Sequence, residues 1–183
     1  NDLKLIIQAI TDEKNEFKKI QNKALILIGF AGGFRRSELV SIDYDDVDFV
    51  DEGVKINIKK SKTDQIGIGM IKAIPFFENT KFCPVVSLKE WINYAKINSG
   101  RIFKISDKSV ALIIKKYALI SGLDHTKYAG HSLRSGFATS TAETGADERS
   151  IMAMTGHKTT QMVRRYIQEA NLFKNNALNK IKI

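Results

Sequence analysis

Apolar residues in the first thirty or so positions recur with the period of a helix. Leu3, Ile6, Ile7 and Ile10 share one face of a short helix over Asp2–Ile10. A longer helix is predicted from Asn15 to Gly32. Its end, Ala24–Phe30, is apolar nearly all round, which marks a central helix rather than a surface one. Gly32-Gly33 ends it. Arg36–Ser41 reads as a short helix and Asp43–Asp46 as a turn. The period then falls to two. Val47–Val50, Val54–Ile58 and Gly67–Ile74 read as strands. A hairpin turn at Asp51-Glu52-Gly53 joins the first two, and Ser61–Ile66 connects the second to the third. Helical spacing returns from Pro84 to about Asn98 and at Ser106–Ser121, His131–Thr144, Asp147–Met154 and Thr159–Glu169. Gly145 and Gly156 punctuate the last three, and an amphipathic segment, Leu172–Ile181, closes the chain. The pattern predicts an α+β fold: mainly α with a small three-stranded antiparallel sheet.

Composition narrows the class. The 183 residues suffice for one large domain, and 43% hydrophobic with 27% charged residues is the make-up of a globular chain. There is no internal repeat, low-complexity tract or linker. A single domain is expected over 1–183, with 171–183 as a C-terminal tail. No run of about 18 apolar residues occurs, so no membrane partner is expected. The single cysteine, Cys83, excludes an intramolecular disulfide and fits a reducing, cytoplasmic setting. Asn1–Ile10 lacks the cationic-then-apolar order of a signal peptide and an initiator methionine, so a further domain is expected upstream. The net charge of +9 points to a polyanionic partner, of which nucleic acid is the commonest. Lysines spread along the whole chain also fit a merely soluble basic protein.

Several side chains carry candidate chemistry. Arg35 and Glu38 share a face of the short helix; alone they read as a surface ion pair worth under about 1 kcal/mol. Lys62, in the basic run Lys59-Lys60-Ser61-Lys62, sits on a turn where a lysine either reaches a ligand or is simply solvated. His131 and Arg134 project from one face of a helix start, whose N-terminus favours an anion, while Leu133 and Phe137 can bury the other side. The plainer alternative is a capping histidine beside a solvated arginine. His157 follows Gly156, and Tyr166 stands nine residues later in an apolar stripe of Met162, Val163, Tyr166 and Ile167. Alone, Tyr166 reads as a half-buried aromatic, although Arg164 and Arg165 beside it suggest a nearby phosphate.

Singly these features are ordinary; together they fit one reaction. Phosphodiester cleavage by a side chain needs a nucleophile able to form a covalent intermediate, and tyrosine is one. It needs cations around the phosphoryl oxygens, for which the arginine fork is suited. Protons must leave the phenol and reach the departing oxygen. Metal-dependent nucleases use Mg²⁺ held by carboxylates for part of this. Here no carboxylate cluster stands beside the set, so no metal and no other cofactor is expected. The run Asp43, Asp45, Asp46 and Asp48 lacks the Gly and Glu of a calcium loop and reads as turn acids. His125 and Cys83 read as structural or incidental, and Trp91 and Tyr94 as core rather than a base-stacking platform.

In order along the chain, these stretches resemble the tyrosine recombinase family, which includes phage integrases and Xer-type recombinases. Gly33-Phe34-Arg35-Arg36-Ser37-Glu38-Leu39 looks like its first arginine motif, and Ser61-Lys62-Thr63-Asp64 like its hairpin lysine. His131-Ser132-Leu133-Arg134 looks like its His-x-x-Arg box, and Thr155-Gly156-His157-Lys158 followed by Arg165-Tyr166 like its final box. The resemblance spans about residues 24–170; Ser135 stands where many members have a second basic residue.

The resemblance implies the catalytic-domain fold of that family, and a site-specific recombinase that forms a 3′-phosphotyrosyl bond without ATP or metal. It implies that Tyr166 attacks the scissile phosphate, Arg35 and Arg134 bind the non-bridging oxygens, and His157 adds a hydrogen bond. Lys62 then protonates the leaving 5′-oxygen, His131 assists proton transfer from Tyr166, and Glu38 supports the site. Lys59, Lys60, Lys158, Arg164 and Arg165 are expected to contact DNA. The expected partner is double-stranded DNA, bound by a homotetramer that is monomeric when free. The tail packs either on its own domain or on a neighbouring protomer. The family's separate N-terminal DNA-clamping domain would precede Asn1 and is not expected within this chain, and a bacterial or phage-encoded, cytoplasmic protein is expected. Two alternatives remain open: a relaxing topoisomerase of the tyrosine type, and a non-catalytic DNA-binding module.

Overall fold

In a computed structural model that describes residues 2–59, 69–157 and 159–171, the run Ala24–Phe30 lies at the centre of the core. It belongs to α2, Glu16–Ala31, in which Ala24 through Ile28 are at most 2% exposed. The Asn15 side chain caps the helix by accepting the Lys18 N–H at 2.9 Å. Helix α1, Asp2–Thr11, buries Ile6, Ile7 and Ile10, the face its spacing predicts. Helices α3 (Arg36–Val40), α4 (Pro84–Tyr94) and α5 (Asp107–Ile120) complete this part of the molecule, α2 packing on α4 and α1 packing on α5.

The three predicted strands form one antiparallel sheet: β1 (Val47–Val50), β2 (Gly53–Ile58) and β3 (Met70–Pro75), in the order β1-β2-β3. The predicted connection Ser61–Ile66 and the predicted strand start at Gly67 lie outside the described residues. So does the closing segment Leu172–Ile181. The last three helices, α6 (Ser132–Glu143), α7 (Glu148–Thr155) and α8 (Thr160–Asn171), pack on one another around Ala138, Ala142, Ile151 and Val163. This second small core meets the main one where α6 packs on α2.

Two expectations need correction. Helix α4 stops at Tyr94, short of Asn98. The backbone at Lys96 is left-handed (φ 52°), and the Ile97 N–H turns back to the Ile92 carbonyl at 2.9 Å. This is a helix-ending motif that usually advertises itself with glycine, and here a lysine fills the position. Tyr94 is 47% exposed rather than core, while Trp91 is buried and donates its indole N–H to the Ile102 carbonyl at 2.9 Å. The acidic turn expected at Asp43–Asp46 is present as a 3-10 turn, Tyr44–Asp46, whose Asp46 carboxylate accepts the Asp43 N–H at 3.1 Å and pairs with Lys59 at 2.8 Å.

Candidate active site

The turn after α2 places Arg35. Gly33 adopts φ +54°, and a Cβ there would stand 3.1 Å from the Phe137 ring and 3.2 Å from the Thr155 methyl. Glycine therefore lets this turn slot between α6 and α7. Phe34 anchors it in the core, and Arg35 emerges as the N-cap of α3. One turn on, Glu38 is 2% exposed. Its Oε2 accepts the Arg35 backbone N–H at 2.9 Å and its Oε1 accepts Arg35 Nη1 at 2.5 Å. The pair is therefore a buried clamp that fixes the guanidinium, not a surface ion pair.

Arg134 lies on α6 and is 5% exposed. Its Nη1 donates to the Gly33 carbonyl at 3.2 Å, which ties α6 to the Arg35 turn. Its Nη2 is buried and meets no acceptor among the described residues. Burial, and then the like charge of Arg35, pull the Arg134 pKa down to about 10, against the opposing influence of Glu38 and Tyr166. It is still a cation at neutral pH. A buried cationic N–H without a partner is unfavourable, and an anion brought to it relieves that cost.

His157 follows the left-handed Gly156 (φ 65°) that ends α7. The Thr155 hydroxyl spends its only hydrogen on the Ile151 carbonyl at 2.7 Å. In its 2.8 Å contact with His157 Nδ1 it must therefore accept, so the neutral ring carries its proton on Nδ1 and leaves Nε2 as an acceptor. Burial, then Arg134, Arg35 and Lys72, lower the His157 pKa to about 4. The folded state thus holds the ring neutral, whereas the unfolded chain protonates it near pH 6.5. Between those values the unfolded state binds more protons, so stability falls as pH drops through this window. We expect the urea midpoint of the wild type to fall more than that of His157→Gln between pH 7 and pH 5. Equal falls in the two proteins would contradict a neutral, half-buried His157.

Tyr166 is half-buried on α8, against the small core that holds Val163, and its phenol lies near enough to Arg134 to favour the charged guanidinium. Met162, placed in the same stripe by spacing, is 49% exposed. His131 is exposed at the N-cap of α6, one turn before Arg134, and its side chain makes no capping bond. Lys62, Lys60 and Lys158 lie outside the described residues. The other expected DNA contacts are exposed cations already in ion pairs: Lys59 with Asp46, Arg164 with Glu148 at 3.0 Å, and Arg165 with Glu169 at 2.9 Å. Such exposed pairs are weak, and a phosphate can compete for them.

The structure thus brings Arg35, Glu38, Arg134, His157 and Tyr166 to one place. Two participants escaped the sequence reading. Thr155 sets the His157 tautomer, and Lys72 is a fully buried lysine on β3 whose charge reaches His157. Lys72 had a readable signal. Met70 and Ile74 lie in its phase of the strand alternation, and that phase faces the core.

The sequence profile of the phage integrase family matches residues 1–172. The chain belongs to that family. This integrase-family chain is 47% identical over 181 residues to an integrase/recombinase xerD homolog of Selenomonas ruminantium, covering 92% of the chain and 53% of that protein. A tyrosine recombinase XerC of Syntrophus aciditrophicus is 29% identical over 157 residues, covering 80% of the chain and 48% of that protein. The chain therefore spans about half the length of these relatives. Among solved structures, XerH site-specific recombinase in a post-cleavage complex with a palindromic difH substrate aligns with a TM-score of 0.75 at 19% identity, over 96% of this chain and 52% of that one. XerA recombinase aligns with a TM-score of 0.74 at 19% identity, over all of this chain and 62% of that one. At such identities the likeness carries the fold, which is that of tyrosine recombinase catalytic domains.

Proposed function

We propose that this chain is the strand-cutting and strand-joining domain of a site-specific DNA recombinase. The observation that carries the reading is Arg134 Nη2, a buried donor with no acceptor among the described residues, beside a second arginine and a tyrosine. A phosphate seated there meets two guanidinium groups where negative charge grows in the transition state. The Tyr166 Oη attacks phosphorus as its proton leaves, the bond from phosphorus to the 5′-oxygen breaks, and the DNA 3′ end is held as a phosphotyrosine. The departing 5′-oxygen takes a proton, a task assigned to Lys62 by its motif, with His131 assisting removal of the phenol proton. His157 must gain a proton at Nε2 before it can donate to a phosphoryl oxygen, and an arriving anion favours that gain. The phosphodiester energy is kept in the new bond, so rejoining by a second 5′-hydroxyl needs no ATP. Exchange between two duplexes requires four such cuts, hence four copies on DNA.

The test uses the full-length polypeptide and a library of nicked duplexes with a randomised core, so that cleavage releases a short fragment and traps the cut state. With EDTA present, we expect an SDS-stable protein–DNA adduct whose nucleotide-bearing peptide contains Tyr166. Cleavage that appears only with Mg²⁺ and leaves no adduct would overturn the reading, as would attachment at another residue.

A further inference from the structure

Lys72 is 0% exposed, yet it carries an ammonium group into the junction between the two cores. Its Nζ donates to the Gly32 carbonyl at 2.6 Å and to the Met154 carbonyl, and lies 4.7 Å from the centre of the Phe34 ring. Gly32 is the C-cap of α2, and Met154 is in the last turn of α7. The ammonium therefore sits at two helix C-termini at once, where unpaired carbonyls and the helix dipole both favour a cation. Each helix end runs directly into the candidate site. Gly32 leads through Gly33 and Phe34 to Arg35, and Met154 through Thr155 and Gly156 to His157. Strand β3 supports the second turn again at Met70, whose methyl would lie 3.0 Å from a Cβ on Gly156.

We propose that Lys72 is the positioning residue that joins the Arg35 arm of the phosphate site to its His157 arm. The inference deepens the recombinase reading and rests on it. Lys72 does not touch substrate, because both carbonyls and the Phe34 ring enclose its ammonium. Removing the ammonium would leave the Gly32 and Met154 carbonyls without this donor, a cost in stability that is separate from its role in the site. What the ammonium adds is direction. It fixes two carbonyls relative to one another, and misplacing a reacting group by about 1 Å costs on the order of 100-fold in rate. Burial lowers its pKa to about 8; Glu38 on α3 holds the charge, while Arg134 on α6 and Arg35 oppose it. His157 is held neutral beside it.

The nicked-duplex library selects a trapping substrate for the wild type, and Lys72→Met is then measured on that substrate. At saturating protein, the rate of adduct formation is expected to fall on the order of 100-fold. Affinity for duplex DNA of arbitrary sequence should change by less than about threefold, because no phosphate contact is removed. At subsaturating DNA, the wild-type rate should decline above about pH 8 as Lys72 loses its proton, and Lys72→Met should lack that decline. Adduct formed by Lys72→Met at the wild-type rate would overturn the proposal and leave the recombinase reading intact. Failure of the wild type to form any adduct would remove that reading and this proposal together. If Lys72→Met does not fold, the wild-type profile decides. A fall above pH 8 with unchanged circular dichroism supports the proposal, and a flat rate to about pH 9.5, well past the Lys72 pKa, overturns it.

Discussion

Tyr166→Phe is expected to lose covalent attachment to DNA completely, with the fold and the affinity for DNA kept. The substitution removes one oxygen and leaves the ring, which is half-buried against the small core of α6, α7 and α8. Among the described residues the hydroxyl has no hydrogen bond to lose, so stability should change by less than roughly 0.5 kcal/mol. Attack on phosphorus, by contrast, is expected to depend on that one oxygen, the phenol whose charge reaches Arg134. The loss should therefore reach the background of the assay, at least about 10⁴-fold, as for removal of a nucleophile elsewhere. Adduct on denaturing gels, thermal unfolding, and binding to duplex DNA measure the three quantities separately. Persistence of the adduct in Tyr166→Phe would take Tyr166 out of the chemistry while leaving the fold untouched.

The elements were legible because their periods are strong. Ala24–Phe30 announces a central helix, and the alternation Val54, Ile56, Ile58 announces a strand with one buried face. Less of the site was legible, for reasons visible in particular residues. Local spacing puts Arg35 and Glu38 on one face but cannot say that this face is buried, because the burial comes from packing around helix ends distant in sequence. The same holds for Thr155, whose role emerges only when its hydroxyl is seen to be committed to Ile151. Lys72 is hard to single out because a lysine in a strand ordinarily faces solvent. The phase of Met70 and Ile74 outweighs that habit, since two helix C-termini compensate the buried charge. Lys96 hid the end of α4 for the complementary reason: a residue that normally avoids positive φ occupies a position where glycine would have been read as a stop.

Arg134→Lys is the second substitution expected to have a large effect, although it conserves charge. The guanidinium does two things at once: Nη1 holds the Gly33 carbonyl at 3.2 Å, and Nη2 remains for an incoming acceptor. An ammonium is a single point with a shorter stem, so it cannot keep the Gly33 bond and also present a donor at the Nη2 position. It would also be buried beside Arg35, where desolvation and like charge already lower the pKa of the more basic arginine to about 10. A lysine in that place would hold its proton less firmly still. Loss of one preorganised donor at a developing negative charge costs about 3–4 kcal/mol, or roughly 10²–10³-fold in rate. Affinity for arbitrary duplex DNA should fall less than about tenfold, since this is one phosphate contact among several. Lys116→Ala is the control: that lysine on α5 is exposed and paired with Glu13 at 2.6 Å, so the rate of adduct formation should stay within about threefold of the wild type. An Arg134→Lys protein as fast as the wild type would mean that charge alone is sufficient at this position. The paired geometry of Nη1 and Nη2 would then have no part in holding the phosphate.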